Sequence, residues 1–363
     1  MPDLAALPGE QERLLLVAAL GEGAAAREAW LTVARGLDID VVAHETHGLF
    51  GRLAENLRSM HLEPEVMPRL DGVRKRMWAT NAGRVRRVMG ARAALGSAGV
   101  TAEPTGGLAV LLRLGDPAIR PLVDAELWVR ADDVERAVAT LEAAGWKATV
   151  RRRDGWLLDL CSVTLVRPDE PRGVTLRWHA AGWPYAGSTE EPLTTPTGEQ
   201  ACVPGPGVLL AWTLIEGYRL WGYNPTRRYA DAMLLARAAQ AGDWDDLERI
   251  TRERRAAAVV RAGLAALQDS LATPVPAATT ASVAALADGG RGPLREYAEE
   301  RSGTAAAFLR RTQGMPPMRA VTSLPTFLRE VWDVEPGRSL PGAAAHRLAA
   351  RRRTRTTATT DGR

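Results

Sequence analysis

Asp124 and Glu126 stand two residues apart in the apolar run Val123-Asp124-Ala125-Glu126-Leu127-Trp128-Val129. If that run is a β-strand, both carboxylates point to one face, about 6.5 to 7 Å apart, while Ala125 and Leu127 point to the other. Two carboxylates so placed suit a hard divalent cation such as Mg²⁺, which takes oxygen ligands and can sit beside a triphosphate. Upstream, Thr105-Gly106-Gly107 offers a turn whose backbone N–H groups can meet phosphate oxygens, and Arg120 lies between the two motifs. Each signal is short. Paired glycines mark turns everywhere, an isolated pair of carboxylates equally fits the exposed face of an edge strand, and Arg120 could cap the strand or pair with Asp124.

The elements needed to position these residues can be read from periodicity. Residues 10–35 are expected to be helical with a break near Gly21–Gly23, residues 38–57 to continue as helix, and residues 71–97 to form one long helix ended by Gly96 and Gly99. The arginines crowding that long helix, from Arg74 to Arg92, are expected to be mostly solvated. After the carboxylate strand, residues 131–144 read as a helix ending at Gly145-Trp146. Residues 146–153, 156–166 and 174–179 then read as strands, with a polar turn over 167–173. This predicts an α+β protein with a mixed sheet of four or five strands. Residues 185–206, rich in Thr, Glu, Gly and Pro, read as a connector; helices are expected at 208–220, 226–241, 244–261 and 262–271, a flexible loop at 277–292, and helices again at 294–311 and 325–332. His44 and His47 miss the zinc-protease spacing by one residue and read better as packed or capping side chains.

Composition bounds the rest. The chain has 363 residues, 46% of them hydrophobic, enough for a sizeable core. No apolar stretch reaches the ~18 to 20 residues of a membrane span, and Asp3, Glu10 and Glu12 do not fit a signal peptide, so a cytoplasmic protein without a membrane partner is expected. Cys161 and Cys202 lack metal-site or disulfide-framework spacing and read as buried small hydrophobes. The net charge of +4 rests on arginines, with only Lys75 and Lys147 as lysines, and the Arg-rich tail alone accounts for the surplus. That balance does not point to nucleic acid.

The order of helical region, glycine turn, Arg, and acidic strand resembles the nucleotidyltransferase superfamily, in particular its little-characterised bacterial branch. Gly145-Trp146, the Arg227 and Asp231 pair, Asp243-Trp244 and the stretch from Pro325 to Trp332 extend the resemblance from about Leu31 to Trp332. It implies a small nucleotidyltransferase-like core at 100–184, a helical region at 1–99, a connector at 185–206, a helical region at 207–345, and a disordered basic tail at 346–363. It further implies Mg²⁺-dependent transfer of a nucleotidyl group from a nucleoside triphosphate such as ATP to a small-molecule or peptide acceptor. Asp124 and Glu126 would be metal ligands, with Thr105, Gly106, Gly107 and Arg120 at the phosphates.

The sequence departs from the family pattern at four matched positions. Lys-Gly is Thr105-Gly106, the second Asp of the strand is Glu126, and a later Asp and His are Thr175 and Arg177. Asp159 is the best substitute for the third carboxylate, and Arg177 could clamp a phosphate in place of the lysine. The departures leave a second reading open, a catalytically degenerate member of the fold that serves as a binding or scaffold module.

Overall fold

The computed structural model describes residues 5, 7–37, 39, 46–123, 125–149, 162–178, 190–195, 198–219, 225–254 and 256–288, with residues 324, 325, 328, 339 and 341. Asp124, Asp159, His44, Cys161, the expected helix at 294–311, most of the one at 325–332, and the tail lie outside the described residues.

Five short strands build the central sheet among the described residues. Its strands are β1 (Ala102–Thr105), β2 (Glu126–Val129), β3 (Lys147–Ala148), β4 (Ser162–Arg167) and β5 (Glu170–Arg177), in the order β1-β2-β5-β4-β3. β2 and β5 run parallel and the other pairs antiparallel, so the sheet is mixed, as expected. Its register sets Thr105, Glu126, Thr175 and Thr164 in one row across four strands, and Pro104, Leu127, Leu176 and Val163 in the next. Successive residues of a strand face opposite ways, so one face of the sheet is polar and the other apolar. β2 is an interior strand between β1 and β5, which removes the edge-strand alternative for Glu126.

Long helices cover the apolar side. α1 (Glu10–Leu20), α2 (Gly23–Val33) and α3 (Phe50–Ser59) precede α4 (Met67–Ser97), which packs on β1, β5 and the later helix α6 (Val134–Ala143). α4 ends in a Schellman motif, with Gly99 left-handed at φ +71 and its N–H on Gly96 O at 2.9 Å, while Val100 N donates to Leu95 O at 2.9 Å. Between β1 and β2 the chain makes α5 (Gly106–Leu114). Among the described residues the sheet is followed by α7 (Pro206–Arg219), α8 (Pro225–Ala238), α9 (Ala241–Arg254), α10 (Ala257–Leu271) and α11 (Ala277–Asp288). α8 packs on α1, so the two helical regions meet, and Arg228 Nη1 donates to Ala5 O at 3.0 Å across that seam.

Several expectations are corrected. The 185–206 connector carries a hairpin, β6 (Glu190–Thr194) and β7 (Gln200–Pro204), and β7 packs on β1 and α5. The expected loop at 277–292 holds α11, because Ala-rich sequence is a good helix former wherever a neighbour, here α10, gives it a surface. Residues 46–49 form a 3₁₀ turn rather than part of a continuous helix, and α9 ends at Arg254 with α10 beginning at Ala257, ahead of the boundary expected at 261–262. The turn expected over 167–173 is tight, with β5 resuming at Glu170. Cys202 is half-buried. His47 stacks on Phe50, with ring centroids 5.2 Å apart, in the packed role expected of it.

The arginines of α4 depart furthest from expectation, since most are paired. Arg74 reaches Glu55 at 2.5 Å, Arg92 reaches Glu103 at 3.0 Å, and Arg84 and Arg87 share Glu170. Arg76 and Arg86 on the same helix are exposed, as expected.

Candidate active site

The glycine turn and the strand carboxylate form one site. Thr105 ends β1 in extended geometry, and Gly106 follows at φ +56, a conformation that costs glycine little and other residues more. A Cβ on Gly106 would collide with Glu126 Oε2 and stand 3.3 Å from Cζ2 of Trp212 on α7. The backbone must pass this close to the carboxylate, and glycine is the residue that allows it. Gly106 and Gly107 open α5, whose residues through Leu112 are buried, so the apolar run after the glycines is a packed helix rather than a loop.

Glu126 is 4% exposed and lies in the polar row of the sheet. A buried carboxylate requires a partner. It receives Arg177, whose Nε donates to Oε1 at 2.7 Å and whose Nη2 lies 2.6 Å from the same oxygen. Arg177 sits on β5, a central strand, and its side chain is 29% exposed. Thr175, directly across from Glu126, is joined to Thr164 through their hydroxyls at 2.9 Å, and its amide donates to Ala125 O at 2.9 Å.

Arg120 lies beneath the turn. It is 3% exposed, its Nη1 donates to Gly107 O at 2.9 Å, and its Nε is 3.1 Å from Oδ1 of Asp231 on α8. Arg227, one turn before Asp231, brings Nη2 to 3.3 Å from where a Cβ of Gly107 would stand. Burial pushes the Asp231 carboxyl above its ordinary range, opposed by the charges of Arg120 and Arg227. The loop carrying Arg120 is fixed from behind by Asn81, whose Nδ2 donates to Pro117 O at 2.6 Å and Arg120 O at 2.7 Å, and whose Oδ1 accepts from Leu122 N at 3.1 Å.

Comparison with known families decides the kinship. A family described as uncharacterised nucleotidyltransferase matches residues 41–272, well over half of the chain. The chain belongs to that family. Membership supports nucleotidyl transfer as the general chemistry. Among solved structures, the solution structure of the antibiotic-resistance factor ANT(2'')-Ia is similar at 16% identity and a TM-score of 0.36, over 49% of this chain and 96% of its own. An antigenic nucleotidyltransferase-like protein from Paracoccidioides brasiliensis is similar at 16% identity and a TM-score of 0.32, over 51% of this chain and 90% of its own. Likenesses this distant say nothing about which residues act. None of the curated proteins matches the chain.

Thr105, Gly106, Gly107, Glu126, Arg120 and Arg177 thus come together, while Asp124 and Asp159 fall outside the described residues. Nucleotidyltransferases generally use a divalent metal. Glu126 has the hard oxygens such an ion takes, and a cationic group already sits on Oε1. The donor chemistry fits a divalent cation on one condition, that Arg177 turns away toward its solvent side. Among the described residues no group of three or more His, Cys, Asp or Glu is placed to share a metal. No described helix is long and apolar enough to cross a membrane.

Sequence reading gave Asp231 no role in this site and passed over Trp212. Asp231 carries a usable signal, a lone carboxylate inside the apolar run from Tyr229 to Ala236, which is a place where a charge must have a partner. Trp212 carries none, because only the tertiary packing of α7 brings it to Gly106.

Proposed function

We propose that this chain transfers a nucleotidyl group from a nucleoside triphosphate, ATP among them, to a small-molecule or peptide acceptor, in the cleft where the glycine turn meets the carboxylate strand. The observation that supports it is the fit of Gly106 against Glu126: the turn has no room for a side chain because the carboxylate occupies the space. In this reading the amides of Gly106 and Gly107 receive phosphate oxygens, aided by the positive end of α5, and the Thr105 hydroxyl adds a further donor. Asp124 and Glu126 would hold Mg²⁺, which when bound supplies charge neutralisation at the triphosphate, with Asp159 as the third carboxylate. Arg177 then leaves Glu126 for a phosphate, a partner its planar guanidinium fits in two-pronged fashion. Arg120 acts from beneath, through the turn.

A second reading is favoured by a different observation. Arg177 already neutralises Glu126, and Thr175 stands where the family resemblance expects an aspartate. A degenerate member would keep that ion pair and bind a nucleotide or a peptide without turnover. Calorimetric titration with ATP, GTP, CTP and UTP, with and without Mg²⁺, separates the two. Metal-dependent binding that disappears in the Asp124→Ala/Glu126→Ala double variant supports the transferase. Equal binding with and without metal supports the binding module, and no binding under any condition overturns both nucleotide readings.

A further inference from the structure

Asp231 lies on α8, on a different element from the turn and the carboxylate strand, yet it is 1% exposed and ion-paired with Arg120. Arg120 in turn holds the carbonyl of Gly107. The three groups form a continuous line from the helical C-terminal region to the first turn of α5. We propose that Asp231 is a positioning residue: through Arg120 it sets the geometry of the glycine turn, so that the docking of α8 shapes the nucleotide site. This rests on the reading of that turn as the phosphate site.

Gly106 and Gly107 have the least backbone restraint of any residues, and two in succession at a helix start leave the turn free to wander unless something fixes it. β1 fixes one side through Thr105, paired with Glu126. On the other side the fork of Arg120 reaches Gly107 at 2.9 Å, while Arg120 Nη2 and Arg227 Nη2 crowd the same glycine, at 3.2 and 3.3 Å from its Cβ position. A fork crowded against a glycine needs a fixed anchor of opposite charge. Asp231, rigid within a helix that packs on α1, α5 and α7, provides it. A neutral residue of the same shape would remove the charge that faces Arg120 Nε at 3.1 Å and weaken the hold of Arg120 on Gly107.

Hydrogen exchange reads the turn without requiring nucleotide. The amides of Val110 and Leu111 bond to the carbonyls of Gly106 and Gly107 in a regular helix and report on that first turn. Exchange is compared in wild type, Asp231→Asn, Arg120→Lys, and Leu235→Ala, a core change on the same helix. Asp231→Asn and Arg120→Lys should each speed exchange at those two amides about tenfold, with Leu235→Ala leaving them near wild type. Equal acceleration in Leu235→Ala, or none in the other two, overturns the proposal. If Asp231→Asn does not fold, Asp231→Glu replaces it: the charge stays but the anchor moves by one methylene, so the same two amides should exchange faster, and unchanged exchange overturns the proposal. ATP affinity is measured on the same samples. A loosened turn together with about tenfold weaker ATP binding supports the proposal in full; a loosened turn in a protein whose wild type binds no nucleotide overturns the phosphate-site reading and keeps the positioning role.

Discussion

Two buried carboxylates of the sheet are each met by arginine, and the two meetings differ in kind. Glu170, on the apolar side, is 2% exposed and receives Arg84 Nε at 3.1 Å and Arg87 Nε at 2.7 Å. Arg84 is itself 2% exposed and also donates to the carbonyls of Leu122, Val123 and Gly173, so it ties α4 to β5 and to the approach to Asp124. Glu126, on the polar side, is buried almost as deeply, but its arginine, Arg177, is 29% exposed. One guanidinium is locked in by the oxygens around it; the other has a solvent side to which it can turn. Pairing alone therefore does not separate a structural arginine from one poised to exchange partners. Arg84 is the buried, locked cation, while Arg87, 33% exposed, and Arg177, 29% exposed, both have a solvent side.

Removing the locked arginine should have the largest effect. Arg84→Met leaves Glu170 with half its compensation and strips the N–H donors from three carbonyls, and breaking a buried pair from one side typically costs about 3 to 5 kcal/mol. Urea unfolding should show a loss of that size, accompanied by weaker nucleotide binding, because Arg84 holds the carbonyls just before Asp124. A loss under about 1 kcal/mol would mean the cluster relaxes easily and that the contrast with Arg177 is false.

The partly exposed arginine should behave otherwise. Arg177→Gln leaves Glu126 with a neutral neighbour and should cost only about 1 to 2 kcal/mol, since water reaches that side and tempers the charge. Its sharper signature is a gain. With the guanidinium gone from Oε1, the variant should bind Mg²⁺ without nucleotide about tenfold more tightly than wild type by calorimetry. Destabilisation matching Arg84→Met, with no gain in Mg²⁺ affinity, would show that Arg177 is locked as well and would favour the degenerate reading.

How much of this was legible in the sequence follows from the range of each interaction. The glycine turn, the carboxylate strand, the long helix with its Gly99 stop, and the Gly145-Trp146 helix end are local signals, and each was readable in place. A mixed sheet of four or five strands was readable from alternation and turn spacing, but not its order β1-β2-β5-β4-β3. The arginines of α4 were misread because a charge run on a helix says nothing of what lies opposite; Glu170 is more than eighty residues away and Glu103 sits on a strand. The Arg177 contact needed the parallel register of β2 and β5, which no local pattern fixes. α11 and the β6–β7 hairpin were misread as loops because Ala, Thr, Gly and Pro are weak signals until a neighbouring surface selects one conformation.

Asp231 tests which side of the comparison its ion pair belongs to, with the smallest expected effect. Burial raises its carboxyl, and the charges facing it among the described residues, Arg120 and Arg227, oppose that shift without overcoming it. A carboxyl raised in the folded state binds its proton more tightly there than in the unfolded chain. Between about pH 4, where an unfolded aspartate titrates, and the raised folded value, the native state therefore carries more protons and stability falls as pH rises. Below about pH 4 both states are protonated and the penalty is absent; above the folded value it is constant. Asp231→Asn lacks this titration, so the stability of wild type minus that of the variant should decline as pH rises across that window, by at most about 1.4 kcal/mol per pH unit. A difference that instead grows with pH would place the attraction of Arg120 above the cost of burial.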